Sequence, residues 1–275
     1  MKKNIVVATD FSQRSFEVIS RALAFAKVHD NTVHVVHIVE NSFFDKLKDE
    51  TVLYESSYAH IKEKFPSLLK ENFHCRQDSL EDGIERYVKE LEAYLVIIGS
   101  NGERSSGLRQ FLGTSTKSIV RSIDVPCLVL KSNRENLEFN SILMPTDLSK
   151  TSKSYLSKIH DLFPHAKIEL LYSYLVPFEG RLSFYGMNKG ESLSFQDNMK
   201  HVALTEAYNF YDKLEVNKEK VKVEVIKEGL NPEAFSIHAD DKSCDMIAIH
   251  TTGNFSFFAF DLLEHSHKDV LITKI

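Results

Sequence analysis

The chain has 275 residues and a mass of 31.5 kDa, about twice the size of an average domain, so we expect two domains of roughly 130 to 140 residues each. Hydrophobic residues make up 43% and charged residues 27%, and the longest apolar runs are far too short to cross a bilayer, so a soluble, folded protein without membrane contact is expected. The formal charge of -5, from 34 Lys and Arg against 39 Asp and Glu, argues against a surface that tracks nucleic acid, which needs a basic face.

Cysteine usage and the N-terminal sequence bear on the compartment. Cys75, Cys127 and Cys244 are isolated, odd in number and without a Cys-x-x-Cys pair, which argues against a disulfide framework and a zinc ribbon. The first residues lead directly into an apolar, strand-like segment with no long hydrophobic region or cleavage site. We therefore expect no secretory signal and a cytoplasmic protein.

The first half alternates apolar runs of strand length with segments of helical period. The predicted strands are Asn4 to Ala8, Thr32 to Val39, Phe73 to Arg76, Tyr94 to Ile98 and the run around Leu128. The predicted helices are Phe16 to Val28, Asp82 to Leu91 and Thr114 to Ser122, and a polar stretch extends from Val39 to about Leu69. This alternation is typical of a parallel sheet with helices on both faces.

The second half repeats this pattern. The motif Val-Ala-Thr-Asp-Phe-Ser at 7–12 returns as Met-Pro-Thr-Asp-Leu-Ser at 144–149, which indicates an internal repeat. Further strands are predicted at Ile142 to Met144, Ile168 to Tyr174, Val221 to Ile226 and Met246 to Ile249. With 132–136 as a polar linker, we expect domains at 1–132 and 137–275, and we interpret the aromatic-rich stretch 177–195 as a loop or lid.

A cluster of glycines follows the predicted strand that ends at Ile98. Gly99 and Gly102 come directly after the strand, and Gly113-Thr114-Ser115 opens the next helix. Glycines let backbone amides approach a ligand, and a helix N-terminus favours an anion, so a phosphate chain fits this segment. Ordinary turn chemistry is the alternative for any single glycine. The segment lacks the Lys-Ser pair of a phosphate loop and does not read Gly-x-Gly-x-x-Gly.

These residues resemble the universal stress protein family, and the chain resembles a tandem member whose two domain copies cover nearly its whole length. The nucleotide-binding members carry Gly-x2-Gly-x9-Gly-[Ser/Thr] after the fourth strand and an Asp at the end of the first. Gly99, Gly102, Gly113 and Thr114 fall on that motif, and Asp10 falls on the aspartate. One departure is that ten residues, 103–112, separate Gly102 from Gly113 where the family has nine.

The resemblance implies a fold and a ligand. It implies two tandem, doubly wound, parallel five-stranded α/β sheets of the adenine-nucleotide alpha-hydrolase-like type. The ligand would be ATP, with or without Mg²⁺, or another adenine nucleotide, bound in the N-terminal domain. By the same resemblance, Ala8 and Ile38 would line the adenine pocket and Asp10 would accept from the ribose hydroxyls. The phosphates would be held by Gly99, Gly102, Gly113, Thr114 and Ser115.

Two of the candidate residues have a structural interpretation as well. Asp10 precedes a helix, where Asp or Ser commonly caps free amides, and capping does not exclude ligand binding. His37, inside an apolar run, is interpreted as a hydrogen-bonded histidine of the core or strand end rather than as a catalytic base. We therefore assign no catalytic residue and no metal site.

The second copy of the motif is degraded. His250 replaces the first glycine, Gly253 remains, and no Gly-Thr or Gly-Ser pair opens the last helix, where Glu264 would oppose a phosphate. Asp147 persists, and capping is its favoured role. We expect one working nucleotide site, no cofactor in the C-terminal domain, and a C-terminal domain kept for packing, dimerisation or another ligand.

Three functions compete. The first is a non-catalytic, ATP-binding sensor or regulator of the stress response that acts on a protein partner of unknown identity. The second is a scaffold with both nucleotide sites vestigial. The third, ranked last, is a slow nucleotide hydrolase or transferase, because no Ser-His-Asp order or carboxylate pair can be assembled.

The resemblance also implies association through the last strand of each copy. The edges of Cys127 to Leu130 and Val270 to Thr273 could pair, which would make the chain an intramolecular pseudo-dimer. Further association into a homodimer with four domains is a second expectation.

Overall fold

The computed structural model describes residues 2–40, 49–100, 114–229, 231–251 and 257–274, with the side chains of Thr114 and Phe257 left out. Residue contacts divide the chain into two compact units. Unit 1 comprises Met1–Glu138 together with His250–Ile275, and unit 2 comprises Phe139–Ile249.

The described residues of unit 1 form five parallel strands in the order β3-β2-β1-β4-β5. They are β1 (Asn4–Ala8), β2 (Thr32–Val39), β3 (Phe73–Gln77), β4 (Ala93–Gly99) and β5 (Cys127–Leu130). The central strands are nearly continuous apolar runs because both of their faces are buried, as parallel sheets require. Strand order reverses between β1 and β4, so the chain leaves β1 toward one edge of the sheet and later continues from β4 toward the other.

Five helices in the described part of unit 1 complete its α/β layers, and the predicted fold class is confirmed. They are α1 (Gln13–Val28), α2 (Glu50–Lys64), α3 (Leu80–Glu90), α4 (Thr114–Ser122) and α8 (Phe257–His265). Helix α1 begins where the side chain of Ser12 accepts from the amide of Ser15. Its buried residues, among them Val18, Ala22 and Phe25, recur at helical spacing, which places one face on the sheet.

Strand β10 (Asp269–Lys274) pairs antiparallel with β5 at the edge of this sheet. Val270 lies opposite Val129, and Ile272 lies opposite Cys127. The pairing of the two last strands, which the sequence resemblance implies, is therefore confirmed. It is also the reason that residues 250–275 group with unit 1.

Buried charges hold this segment in place. The side chain of Asp269 is fully buried and accepts from the backbone amides of Lys131 and Ser132, each at 2.7 Å, and from Arg21 Nη2 at 3.1 Å. Lys131 Nζ donates to backbone carbonyls at the end of α8, including that of Leu263 at 2.6 Å. Burial lowers the pKa of Lys131 to about 8. These contacts join α1, β5, α8 and β10.

Unit 2 contains parallel strands in the order β9-β6-β7-β8. They are β6 (Ser141–Thr146), β7 (Lys167–Tyr174), β8 (Val221–Lys227) and β9 (Met246–Thr251), with helices α5 (Lys150–Leu162), α6 (Lys189–Asp212) and α7 (Pro232–Asp241). The expected fifth strand of this sheet is β10, which clusters with unit 1. The domain division at 1–132 and 137–275 stays a prediction.

The stretch 177–195 differs from its interpretation as a loop. It forms a 3-10 helix, Glu179–Tyr185, and then the first turns of α6. A capping box starts α6, because the Asn188 side chain accepts from the Glu191 amide and the Glu191 carboxylate accepts from the Asn188 amide. In the described part of the chain, no helix is both long and apolar enough to cross a bilayer.

Candidate functional site

A cavity of about 220 Å³ opens in unit 1 at the carboxyl ends of the parallel strands. Its walls come from the ends of β1, β2 and β4 and from the first turns of α1 and α4. The strand order reverses between β1 and β4, and in open α/β sheets such a reversal leaves a crevice where ligands bind. The position of the cavity therefore follows from the topology.

Residues predicted from the sequence meet at this crevice. Ala8, Asp10, Ile38, Gly99 and Ser115 all line it, although they spread over 107 positions of the chain (115 minus 8). Gly102 and Gly113 lie outside the described residues. Of Thr114 only the backbone is described, and it forms the first residue of α4.

Asp10 holds the turn that joins β1 to α1. Its Oδ1 accepts from the Ser12 amide at 3.0 Å and from the Ser12 hydroxyl at 2.6 Å, while Ser12 itself caps the helix. Phe11 between them has a φ of 61°, a left-handed conformation that is rare for a bulky residue. Asp10 thus stabilises the turn and leaves the capping to Ser12, and its exposed side chain lies at the crevice.

The turn recurs in unit 2. Asp147 Oδ1 accepts from the Ser149 amide at 3.0 Å and from the Ser152 hydroxyl at 2.6 Å, and Leu148 has a φ of 59°. Ser149 caps α5 as Ser12 caps α1. The repeated motif therefore encodes a repeated local structure.

His37 closes one side of the crevice and is a strand-end histidine, as the sequence analysis expects. Its Nδ1 lies 2.9 Å from the carbonyl oxygen of Thr9. Because a carbonyl can only accept, Nδ1 carries the hydrogen. Burial lowers the pKa of His37, and the ring stacks obliquely on Phe11 with centroids 4.2 Å apart. The contact with Thr9 therefore orients the imidazole, and burial disfavours its protonation.

Thr116 is a residue of the crevice that the sequence analysis missed. Its buried hydroxyl lies 3.0 Å from the carbonyl oxygen of Gly99 and 3.2 Å from that of Ser100. This contact holds the first turn of α4 at the end of β4. The first amides of a helix have no partner within the helix and favour negative charge. The sequence did contain a signal for Thr116, which is a hydroxyl residue one position beyond Gly113-Thr114-Ser115 at the start of α4.

Apolar side chains form the remainder of the described wall, and Ile38 is the most constrained of them. Ile38 packs against Gly83 of α3, where an added Cβ would lie 2.6 Å from the Cδ1 atom of Ile38. Ile98 and Ile119, both buried, line the same crevice. Such a wall suits the face of a flat, apolar ring.

Within the described ranges, no group of three or more His, Cys, Asp and Glu side chains is arranged to hold a metal ion. The carboxylates that line the crevice among these residues are those of Asp10 and Glu40.

The strand order and the crevice at its reversal define an open, doubly wound α/β fold. Comparison with known proteins adds a family match for the first part of the chain. Residues 1–131 match the sequence model of the Universal stress protein family. The match spans the first 131 of the 275 residues, slightly less than half of the chain. The second copy, implied by the resemblance, stays a prediction.

Solved structures of similar fold cover both units. A protein of unknown function from Pseudomonas aeruginosa PAO1 is 15% identical, with 99% of this chain and 92% of that chain covered and a TM-score of 0.66. A universal stress protein from Archaeoglobus fulgidus DSM 4304 is 16% identical, with 98% of each chain covered and a TM-score of 0.61. No curated protein matches the chain in sequence. At these identities the likeness establishes the fold.

Proposed function

We propose that unit 1 binds ATP or a related adenine nucleotide in the crevice and serves as a non-catalytic sensor or regulator in the stress response. The universal stress protein domain supports nucleotide binding and a stress-response role in general terms. The observation that carries the proposal is that five of the sequence-predicted site residues, distant along the chain, line one cavity at the switch point of the sheet.

The base and ribose would occupy the described cavity. Ala8 and Ile38 offer apolar walls for adenine, and the exposed carboxylate of Asp10 lies where it can accept from ribose hydroxyls. A volume of about 220 Å³ is below the roughly 300–1,000 Å³ usual for drug-sized ligands. The described walls therefore suit the nucleoside part, and the phosphates would extend along the N-terminus of α4.

The phosphates would be held by backbone donors. The amides of the first turn of α4 are fixed beside Gly99 by Thr116, and the roles of Gly102, Gly113 and Thr114 belong to the same proposal. Each helix-terminus contact contributes only about 0.3–1 kcal/mol. Micromolar affinity, about -8 kcal/mol, thus needs several such donors together with the base pocket. Mg²⁺, when present, would be held mainly by phosphate oxygens and water.

Two other functions predict different behaviour. A scaffold with vestigial sites would not be stabilised by nucleotide. A slow hydrolase would release phosphate, and His37, whose pKa is lowered by burial, lies with Asp10 at the same crevice, so phosphate release should be measured. Phosphate release that disappears in Asp10→Ala while binding persists would favour the hydrolase.

Thermal denaturation with and without MgATP, ADP and AMP tests the proposal. Ligand at about 100 times its Kd should add about 2.7 kcal/mol to the free energy of unfolding. The shift should disappear in Asp10→Ala and persist in Asp147→Ala, a matched control because both carboxylates hold the same kind of turn. Mass spectrometry of small molecules released from the purified protein identifies the nucleotide. An unshifted melting temperature with every nucleotide would refute the proposal.

A further inference from the structure

Unit 2 contains a larger cavity, of about 640 Å³. It lies between the turn that follows β6, the start of α5, Tyr172 of β7 and the last turns of α6. Among the described residues, none of β9 belongs to its lining. Asp147 and Tyr172 stand where Asp10 and His37 stand in unit 1, so the cavity begins at the counterpart of the nucleotide crevice and extends from there to the last turns of α6.

The corresponding region of unit 1 is occupied by rings. Phe11 contacts His37 with centroids 4.2 Å apart and His60 of α2 at 5.2 Å. Phe16 of α1 contacts His60 at 5.9 Å and Phe65 at 6.0 Å. This aromatic cluster joins the start of α1 to the helix that follows β2.

The repeat shows which substitutions open the space in unit 2. Because Ser12 and Ser149 are equivalent helix caps, Leu148 stands in the position of Phe11 and Lys153 in that of Phe16. Tyr172 stands in the position of His37, since Ala8 pairs with Val36 and Pro145 with Leu171. The aromatic packing is replaced by a shorter side chain and a lysine, so the cavity is encoded by the sequence of this copy.

Cations surround the opening of the cavity. Lys150, Lys153 and Lys213 line it. Lys153 Nζ pairs at 2.7 Å with Glu215, whose side chain is 84% exposed. Among the described residues, the side-chain ammonium groups of Lys150 and Lys213 make no hydrogen bond or ion pair. The N-terminus of the 13-residue helix α5 adds positive potential at the same place.

The carboxylates of the lining are already engaged. Asp147 holds the turn through Ser149 and Ser152, and Glu206 accepts from the Tyr172 hydroxyl at 2.8 Å. Three lysines face these two acids, so the lining carries a net positive charge. Phe210, which is buried, and Leu148 supply apolar surface beside Tyr172.

We propose that this cavity binds a small organic anion, a carboxylate or phosphate ester carried on an aromatic ring. The ring would pack on Tyr172, Phe210 and Leu148, since aromatic pairs stabilise each other beyond the area that they bury. The acid group would lie near Lys150, Lys213 and the start of α5. The volume is within the range of about 300–1,000 Å³ that is usual for such ligands. The proposal stands independently of nucleotide binding in unit 1.

Calorimetric titration of the full chain with phenyl phosphate tests the proposal, with inorganic phosphate and phenol as the separate halves of the probe. Phenyl phosphate should bind, and each half should bind at least about tenfold more weakly, because each lacks one set of contacts. The variant with Lys150→Gln and Lys213→Gln should raise the Kd of phenyl phosphate about tenfold or more. Lys158→Gln, an exposed lysine on the same helix, should leave the Kd unchanged.

A second variant fills the cavity. Leu148→Phe with Lys153→Phe restores the ring positions of unit 1 and should abolish binding of phenyl phosphate, while a normal circular dichroism spectrum shows that the chain is folded. If this variant does not fold, the lysine variants decide the question by themselves.

Three results would overturn the proposal. One is a Kd for phenyl phosphate that does not change in the variant with both lysines replaced. Another is loss of the binding in Asp10→Ala, which would place the probe in unit 1. The third is equal affinity for inorganic phosphate, which would show that the ring contributes nothing.

Discussion

Arg21 and Asp269 form an ion pair of 3.1 Å in the interior of unit 1, although 248 residues separate them in the sequence. Their side chains are 7% and 0% exposed. The same carboxylate also accepts from the amides of Lys131 and Ser132. The carboxylate of one residue in β10 thus satisfies donors from α1 and from the end of β5.

We predict that Asp269→Ala lowers the free energy of unfolding by about 3–5 kcal/mol, the usual result when one partner of a buried pair is removed. Arg21 and two backbone amides would lose their acceptor at once. Urea denaturation measures the change. Asp124→Ala is the control, because Asp124 pairs with Lys274 at 2.9 Å in the same region but is 72% exposed, and it should cost less than about 1 kcal/mol. Equal effects of the two substitutions would contradict this account.

The strand and helix order was predictable because the central strands are buried on both faces and therefore apolar throughout. The repeated Asp-x-Ser motif likewise identified both turns, at Asp10 and Asp147. By contrast, Lys131 and Asp269 could not be recognised as buried, because a charged residue in a sequence is normally assigned to the surface. Their burial depends on contacts between segments more than 130 residues apart.

Two features of the structure have local signals in the sequence that were not sufficient to predict them. The capping box of Asn188 and Glu191 indicates the start of α6, but the glycines and aromatic residues around it favoured a loop. Gly83 lies inside a helix of otherwise good helical period, and the sequence alone does not show that Ile38 occupies the space beside it. The site itself was predicted from a motif, while Thr116 emerged only from the geometry.

Gly83→Ala should weaken nucleotide binding in unit 1. The new methyl group would push Ile38 from its place, and Ile38 lines the crevice. Alanine favours the helix by about 1 kcal/mol, which offsets part of the steric cost, so we expect a small loss of stability with a severalfold rise in the Kd of MgATP. Gly180→Ala is the control, since nothing lies within 4 Å of its added Cβ. An unchanged Kd in Gly83→Ala would show that Ile38 is not part of the base pocket.

Acid should destabilise unit 1 through the pair His34 and His74. Nδ1 of His34 lies 3.0 Å from Nε2 of His74, and burial lowers the pKa of His74 to about 4 and also lowers that of His34. The unfolded chain binds a proton near pH 6.5 whereas folded His74 binds one only near pH 4. The stability contribution is therefore complete above pH 6.5 and is lost as the pH falls toward 4.

Urea denaturation between pH 7.5 and 4 measures this loss, which we expect to be about 1–2 kcal/mol after allowance for the partial exposure of the ring. His74→Gln should flatten the decline in this range. His165→Gln, which replaces an exposed histidine, should retain it. A parallel decline in His74→Gln and the unsubstituted protein would assign the acid sensitivity to other groups.

Thr116→Val should reduce the stabilisation by MgATP more than it reduces the stability of the free protein. Valine preserves the shape and burial of the side chain but removes the hydroxyl that lies near the carbonyl oxygens of Gly99 and Ser100. The loss of one such hydrogen bond costs about 1–2 kcal/mol. Because the amides of α4 would no longer be fixed beside β4, the stabilisation by MgATP should fall by more than the stability of the free protein does.

Two control variants test this account. Thr116→Ser retains the hydroxyl and should retain the stabilisation by MgATP. Ser122→Ala, which removes a hydroxyl bonded to Ile119 at the other end of the same helix, should leave the shift with MgATP unchanged. If it lowered that shift as much as Thr116→Val does, the start of α4 would have no special part in holding the phosphates.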